Sequence, residues 1–89
     1  MTRSEALERL RAQIDAGAPT AALYSLLGVI HQARREDSDA EAAFRKALYL
    51  EPDHQEALLH LALLHQQHGD VAQAHRLRQR LRRSVGGGS

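Results

Sequence analysis

The densest run of apolar residues lies between Glu56 and His65, where five leucines fall within seven consecutive positions. On a helix of 3.6 residues per turn, these leucines point in nearly every direction instead of forming one stripe. Such a helix needs neighbours on several sides, and at about 1.5 Å per residue it is too short to cross a bilayer. We therefore predict a central helix that other parts of the chain cover.

Four further segments show the three- or four-residue spacing of apolar positions that is typical of amphipathic helices. The first carries Leu7, Leu10 and Ile14 on one face. The predicted helices cover about residues 3–16, 21–34, 37–51, 55–68 and 71–84. Pro52 and Gly69 are expected to end the third and fourth helices, because proline resists helical geometry and glycine suits a left-handed cap. The chain is thus predicted to be all-α with five helices.

Short polar residues precede most of these segments and are candidate helix caps. Capping-box spacing occurs three times, in Thr2 with Glu5, Ser38 with Glu41 and Asp53 with Glu56. Thr20 and Asp70 are predicted to cap the second and fifth helices, and Ala18 and Pro19 to separate the first two.

Comparison of the chain with itself at a constant offset reveals a repeat. Four pairs of identical residues align at the same offset, Leu27 with Leu61, His31 with His65, Gln32 with Gln66 and Ala40 with Ala74. Two helical hairpins, 21–52 and 55–85, are therefore predicted to be the same unit twice. The repeat offset also places Ala6 opposite Ala40 and Leu10 opposite Phe44, which makes the first helix, 3–16, a half repeat.

The first unit resembles the tetratricopeptide repeat (TPR) at almost every signature position. The matching residues are Tyr24, Leu27, Gly28, His31, Ala40, Phe44, Ala47 and Pro52, with Tyr24 for the usual Trp and His31 for the usual Tyr. The second unit departs where Arg78 replaces Phe44 and Leu81 replaces Ala47. The resemblance implies a right-handed solenoid of about two and a half repeats over residues 1–85, followed by a flexible Gly/Ser tail at 86–89.

A longer resemblance spans about Ala22 to Arg83. The runs from Phe44 to His54 and from Glu56 to Leu64 resemble the C-terminal repeat region of chemoreceptor methyltransferases of the CheR type, including WspC-like and FrzF-like forms. The resemblance implies a parent enzyme that uses S-adenosylmethionine to methylate receptor glutamates in a chemosensory pathway of biofilm formation. The present segment would regulate it, and carries no methyl-transfer residue or cofactor site of its own.

The TPR resemblance also implies a concave groove lined by the first helix of each hairpin. The predicted lining is Ala22, Ser25, Val29, Gln32, Ala33, Glu56, Leu59, Leu63, Gln66 and Gln67. Because no Lys or Asn stands where chaperone-binding relatives hold a carboxylate, we expect an apolar peptide or helix as the ligand. Two alternatives stay open, since the first helix or a second copy of the chain could cover Leu59 and Leu63.

The net charge of +1 conceals a strong asymmetry. Up to Asp70 the chain has seven basic and eleven acidic residues, whereas from Val71 onward it has five arginines and no acid. These form a predicted basic face, Arg76, Arg78, Arg80, Arg82 and Arg83. Its expected partners are an acidic cytoplasmic segment of a receptor or an acidic face of the parent's catalytic domain. Nucleic acid is a minor alternative, because the chain has no Trp, one Phe and two Tyr to stack bases.

Catalytic and metal chemistry find little support in the sequence. His65 and His68 share a helical face and His75 could approach them, yet there is no Cys, so packing is the simpler role and no metal site is predicted. The serines lack a His and an acid at nucleophile spacing, so the segment alone is not expected to be an enzyme. Without a signal or membrane segment, we expect a cytoplasmic protein.

Overall fold

The computed structural model describes residues 3–17 and 20–86. This part of the chain is all-helical and contains no strand, as predicted. The helices are α1 (Arg3–Asp15), α2 (Ala21–Ala33), α3 (Asp37–Leu50), α4 (Gln55–Gln67) and α5 (Val71–Gly86). The predictions for Thr2, Ala18, Pro19, residues 87–89 and the side chain of Ile14 lie outside the described residues.

Two of the predicted side-chain caps are present. Thr20 Oγ1 accepts a hydrogen bond from the backbone N–H of Leu23 at 3.1 Å, and Asp70 Oδ1 accepts one from the N–H of Gln73 at 3.3 Å. Each oxygen satisfies an N–H group that has no partner within its own helix. The starts of α2 and α5 are therefore fixed by their local sequence.

The predicted caps of α3 and α4 are wrong. Glu36 occupies the cap position of α3 and makes no side-chain cap hydrogen bond, so Ser38 does not cap that helix. At α4 the cap is His54, whose Nδ1 accepts from the N–H of Ala57 at 3.3 Å, instead of Asp53. An unprotonated imidazole nitrogen is an acceptor like the carboxylate oxygen that was expected there.

The loops that join α2 to α3 and α4 to α5 have the same backbone structure. Arg35 and Gly69, which occupy equivalent positions of the two repeats, have φ angles of 61° and 79°. In each loop the N–H of the next residue bonds the carbonyl of a histidine, Glu36 to His31 at 2.9 Å and Asp70 to His65 at 2.8 Å. Gly69 adopts the left-handed conformation without strain, whereas a side chain at Arg35 makes it unfavourable. The sequence repeat is thus also a repeat of loop geometry.

Helix α2 packs most extensively against α3, and α4 against α5, so the four helices form two hairpins. Helices α3 and α4 join the hairpins, while α1 lies against α2. The core includes Leu58, Leu61 and Leu64 of the leucine-rich helix, as predicted. At the end of α5, Gly86 is helical and not part of the predicted tail. No helix in residues 3–17 or 20–86 combines the length and apolarity needed to cross a membrane.

Phe44 holds three helices together. Its ring is completely buried and lies over Gly28 of α2, so closely that a Cβ atom at position 28 would lie 2.5 Å from Phe44 Cε1. The imidazole of His60, on α4, stacks on the same ring with centroids 5.7 Å apart and an interplanar angle of 7°. Gly28 therefore serves close helix packing, which no other residue type allows at this distance.

We predict that Gly28→Ala lowers the free energy of unfolding by about 1–3 kcal/mol, because the new methyl group overlaps the buried ring. Urea unfolding followed by circular dichroism measures the change. Gly86→Ala is the matched control, since nothing lies within 4 Å of a Cβ there and alanine favours a helix. A Gly28→Ala protein as stable as the Gly86→Ala protein would contradict the predicted overlap.

Candidate protein-interaction site

The α4 part of the predicted groove is a partly exposed apolar strip. Leu59 and Leu63 retain 42% and 37% of their accessible surface, and Glu56, Gln66 and Gln67 beside them are exposed. Within the described residues α1 does not contact α4, so it does not cover these leucines. The strip is thus open to a ligand or to a second copy of the protein.

The α2 part of the groove is smaller than expected. Ala22 and Ala33 are exposed, and Val29 and Gln32 are half-buried. Ser25 departs from the prediction because its side chain is completely buried, and its hydroxyl has no hydrogen-bond partner among the described residues. A buried hydroxyl without a partner costs stability instead of binding a ligand. The larger exposed apolar side chains of the predicted groove are therefore on α4.

The five arginines of α5 divide into two groups by their contacts. Arg76 bonds the side-chain oxygen of Gln73 at 2.8 and 3.1 Å, Arg78 bonds that of Gln66, and Arg80 bonds the carbonyl of Pro52 at 2.8 Å. The side chains of Arg82 and Arg83 have no hydrogen bond or ion pair in the part of the chain that the structure describes, and they line a shallow cleft of about 320 Å³. Only these two arginines are fully available to an external anion.

The histidines that suggested a metal site instead join α3 to α4. His68 Nε2 lies 2.9 Å from Asp37 Oδ2. His65 Nε2 lies 3.2 Å from Glu41 Oε1, but the two groups are not aligned for a hydrogen bond. Together they line a cleft of about 370 Å³ at the junction of the hairpins. Asp37 and Glu41 are thus the acidic neighbours of these imidazoles. Sequence reasoning missed them because it treated Glu41 as a cap residue.

A second histidine contact recurs in both hairpins. His31 Nδ1 lies 2.8 Å from Glu36 Oε1, and at the equivalent positions of the second hairpin His65 Nδ1 lies 3.6 Å from Asp70 Oδ2. Sequence reasoning aligned the histidines but overlooked the acid five positions after each. The hydrogen bond from His31 lowers the pKa of Glu36, with a smaller contribution in the same direction from Arg34 and opposition from desolvation. These pairs fix the loops that connect each hairpin.

One set of metal-ligating side chains in the described residues has suitable spacing. His31, Glu36 and Asp39 each place one ligand atom within 4.8 Å of the other two. However, Arg34 Nε lies 3.4 Å from Glu36 Oε1, and Lys46 lines the cleft that contains His31 and Asp39. Glu36 thus already has a cationic partner in Arg34.

The described residues form a small all-α structure with a repeated helical hairpin, a partly exposed apolar strip on α4 and a basic helix α5. No protein-family model matches the chain. The probable biofilm formation methyltransferase WspC of Pseudomonas aeruginosa is 43% identical over 81 residues, which are 91% of this chain and 19% of that protein. The protein of the same name from Pseudomonas putida is 46% identical over 66 residues, 74% of this chain and 16% of that protein.

The chain is therefore homologous to a segment of WspC, and it spans less than a fifth of the length of the curated relatives it matches. A segment of this size is compatible with a part of the methyltransferase that does not itself perform the reaction.

We predict that His31→Phe raises the pKa of Glu36 toward the ordinary glutamate value, because the main interaction that favours the carboxylate is lost. Carbon NMR of the Glu36 carboxyl group during a pH titration measures it. His75→Phe, on the exposed side of α5, is the control and should leave the pKa of Glu36 unchanged.

The lowered pKa of Glu36 determines how the stability of the fold changes with pH. Glu36 stabilises the fold above the carboxyl's unfolded-state pKa, and this contribution disappears as the pH falls through its lower folded-state pKa. The stability advantage of the wild-type protein over Glu36→Gln should therefore shrink on acidification. An advantage that grows below pH about 4.5 would contradict the assignment.

Proposed function

We propose that this chain is a protein-interaction module of the tetratricopeptide type, the regulatory segment of a chemoreceptor glutamate methyltransferase in a biofilm-related chemosensory pathway. The observation that carries the proposal is the 43% identity to WspC over 91% of the chain. The proposed parent uses S-adenosylmethionine in a separate catalytic domain, and this segment contributes no group to methyl transfer. Its location with that enzyme would be cytoplasmic.

The environment of α1 supports the tetratricopeptide assignment. The charge of Arg11 acts on Glu36, at the loop between α2 and α3. Arg45, which the repeat offset aligns with Arg11, lines a cleft with His65 at the equivalent place beside the second hairpin. Helix α1 packs against α2 as α3 packs against α4, and this supports assigning α1 as the second half of a preceding repeat.

The proposed role is to bind a receptor segment or the parent's catalytic domain through the α4 strip. Leu59 and Leu63 are one turn apart and partly exposed, so they suit an apolar side chain of a peptide or helix. Gln67 and Glu56 flank the strip and can orient polar groups of the ligand. Binding there would position the enzyme on its substrate without adding catalytic groups.

We predict that Leu63→Asp weakens binding of a fluorescently labelled receptor cytoplasmic segment at least about tenfold, because a carboxylate must be desolvated in the apolar strip. Fluorescence anisotropy measures the affinity. Tyr49→Ser is the control, since Tyr49 is 82% exposed on α3 and outside the proposed groove. Equal affinities of the two variants would contradict the groove.

A self-associating structural module is the second candidate, because the same exposed leucines could be buried in a homodimer. Light scattering over a range of concentrations distinguishes the two candidates. A monomer at every concentration excludes the dimer, whereas a stable dimer that ignores receptor segments excludes the peptide groove.

A further inference from the structure

Helix α3 receives α4 through one continuous face. Three contacts occur in succession and in antiparallel order, Asp37 to His68, Glu41 to His65 and Phe44 to His60. The α3 residues are three or four positions apart, so they form a single stripe along the helix. Leu48 continues the stripe and lines a cleft with Leu61 of α4. This face of α3 shows how one helix packs on another in this protein.

Helix α5 presents the same face without an occupant. In the alignment of the two repeats, the α5 positions that correspond to this stripe are Val71, His75, Arg78 and Arg82. Val71 is 69% exposed, His75 and Arg82 are exposed, and Arg78 is half-buried. Val85 adds a second apolar residue, 66% exposed, at the other end of the helix. In the described part of the chain no helix lies on this side of α5.

The chemistry of the face differs from that of α3 in one respect. Where α3 has the apolar residues Phe44 and Leu48, α5 has Arg78 and Arg82. The side chain of Arg82 has no partner in the described residues, and it lines the cleft of about 320 Å³ with Gln79 and Arg83. A helix that docks here must therefore bring carboxylates to the centre of the contact, because an apolar centre would bury an unpaired guanidinium.

The two valines indicate a helix of a protein instead of a phosphate backbone. Val71 and Val85 lie near opposite ends of α5, about 21 Å apart along the helix axis at 1.5 Å per residue. They are exposed at the two ends of the stripe, where each can contact an apolar side chain of a docked helix. A nucleic acid would neutralise the arginines but would leave both valines without apolar partners.

We propose that this face of α5 docks an acidic amphipathic helix of a partner protein. That helix runs antiparallel to α5, as α4 does to α3. It places one carboxylate against Arg82 and a second about one turn away, where Arg78 exchanges its hydrogen bond to Gln66 for a charged partner. Its apolar side chains lie against Val71 and Val85. Its centre, at Arg82, lies on a different helix from Leu59 and Leu63 of the α4 strip.

The test uses a helix-stapled synthetic peptide of about 18 residues with an apolar face and two glutamates one turn apart. Fluorescence anisotropy measures its affinity for the 89-residue chain. Arg82→Glu should weaken binding at least about tenfold. Arg76→Glu is the matched control, because it makes the same change of net charge on the same helix at a residue that bonds Gln73. We expect it to weaken binding less than about threefold.

A second peptide of identical composition, with its glutamates moved to other faces, should bind at least about tenfold more weakly. Circular dichroism verifies that both arginine variants fold. Equal losses for Arg82→Glu and Arg76→Glu, or equal binding of the two peptides, would show non-specific charge attraction and overturn the proposal. An undetectable interaction of the wild-type chain with the first peptide would also overturn it.

Amide chemical shifts show which surface binds the peptide, and so distinguish binding at α5 from binding in the groove. Perturbations centred on Val71, His75 and Arg82, unchanged in Leu63→Asp, are the expected result. Perturbations centred on Leu59 and Leu63 would instead assign the peptide to the groove and overturn the proposal. If light scattering shows a dimer that Arg82→Glu dissociates, the occupant is a second copy and the partner-helix proposal is wrong.

Discussion

Phe44 occupies a space that exists only because residue 28 has no side chain. Because α2 and α3 approach closely at this point, the Phe44 ring is completely buried. The same ring stacks on the imidazole of His60, on α4. One side chain thus connects the two helices of the first hairpin to the first helix of the second. Alanines at positions 40 and 47, which are also completely buried, keep the neighbouring turns of α3 equally close to their partners.

The same constraint explains why the second hairpin differs from the first. Arg78 stands at the position of Phe44, and it reaches to Gln66 instead of filling a space between helices. A large apolar side chain at this position would lie on the outer side of α5, where no helix of the described residues packs. The departures from the repeat therefore coincide with one of the surfaces for which we propose partners, the outer face of α5.

Much of the fold could be predicted from the sequence, because its determinants are local. The number of helices follows from the spacing of apolar residues. Thr20 and Asp70 accept hydrogen bonds from backbone N–H groups three residues away, and Gly69 adopts the left-handed conformation at the end of α4. The failures involve choices that depend on distant or competing partners. Ser38 and Asp53 had the right chemistry for caps, but Glu36 and His54 hold those positions. Ser25 is a polar residue that the sequence placed in a groove, yet tertiary packing buries it.

The contacts of the histidines were likewise predictable only in part. Their alignment between the two repeats was predicted, whereas the acid five positions after each one was overlooked. Which carboxylates would meet His65 and His68 was not, because Asp37 and Glu41 belong to another helix and approach only when the hairpins pack together. The available arginines could not be separated from the engaged ones for the same reason. Arg80 bonds the carbonyl of Pro52, which belongs to the preceding hairpin.

A double-mutant cycle between Gly28 and Phe44 tests the central claim most directly. The free energies of unfolding are measured for the wild-type protein, Gly28→Ala, Phe44→Leu and the double variant. If the ring makes the methyl group at position 28 unacceptable, Gly28→Ala should cost at least about 1 kcal/mol less in the Phe44→Leu background, where a smaller side chain leaves room. Costs that add within about 0.5 kcal/mol would contradict the claim that this contact sets the spacing of the helices.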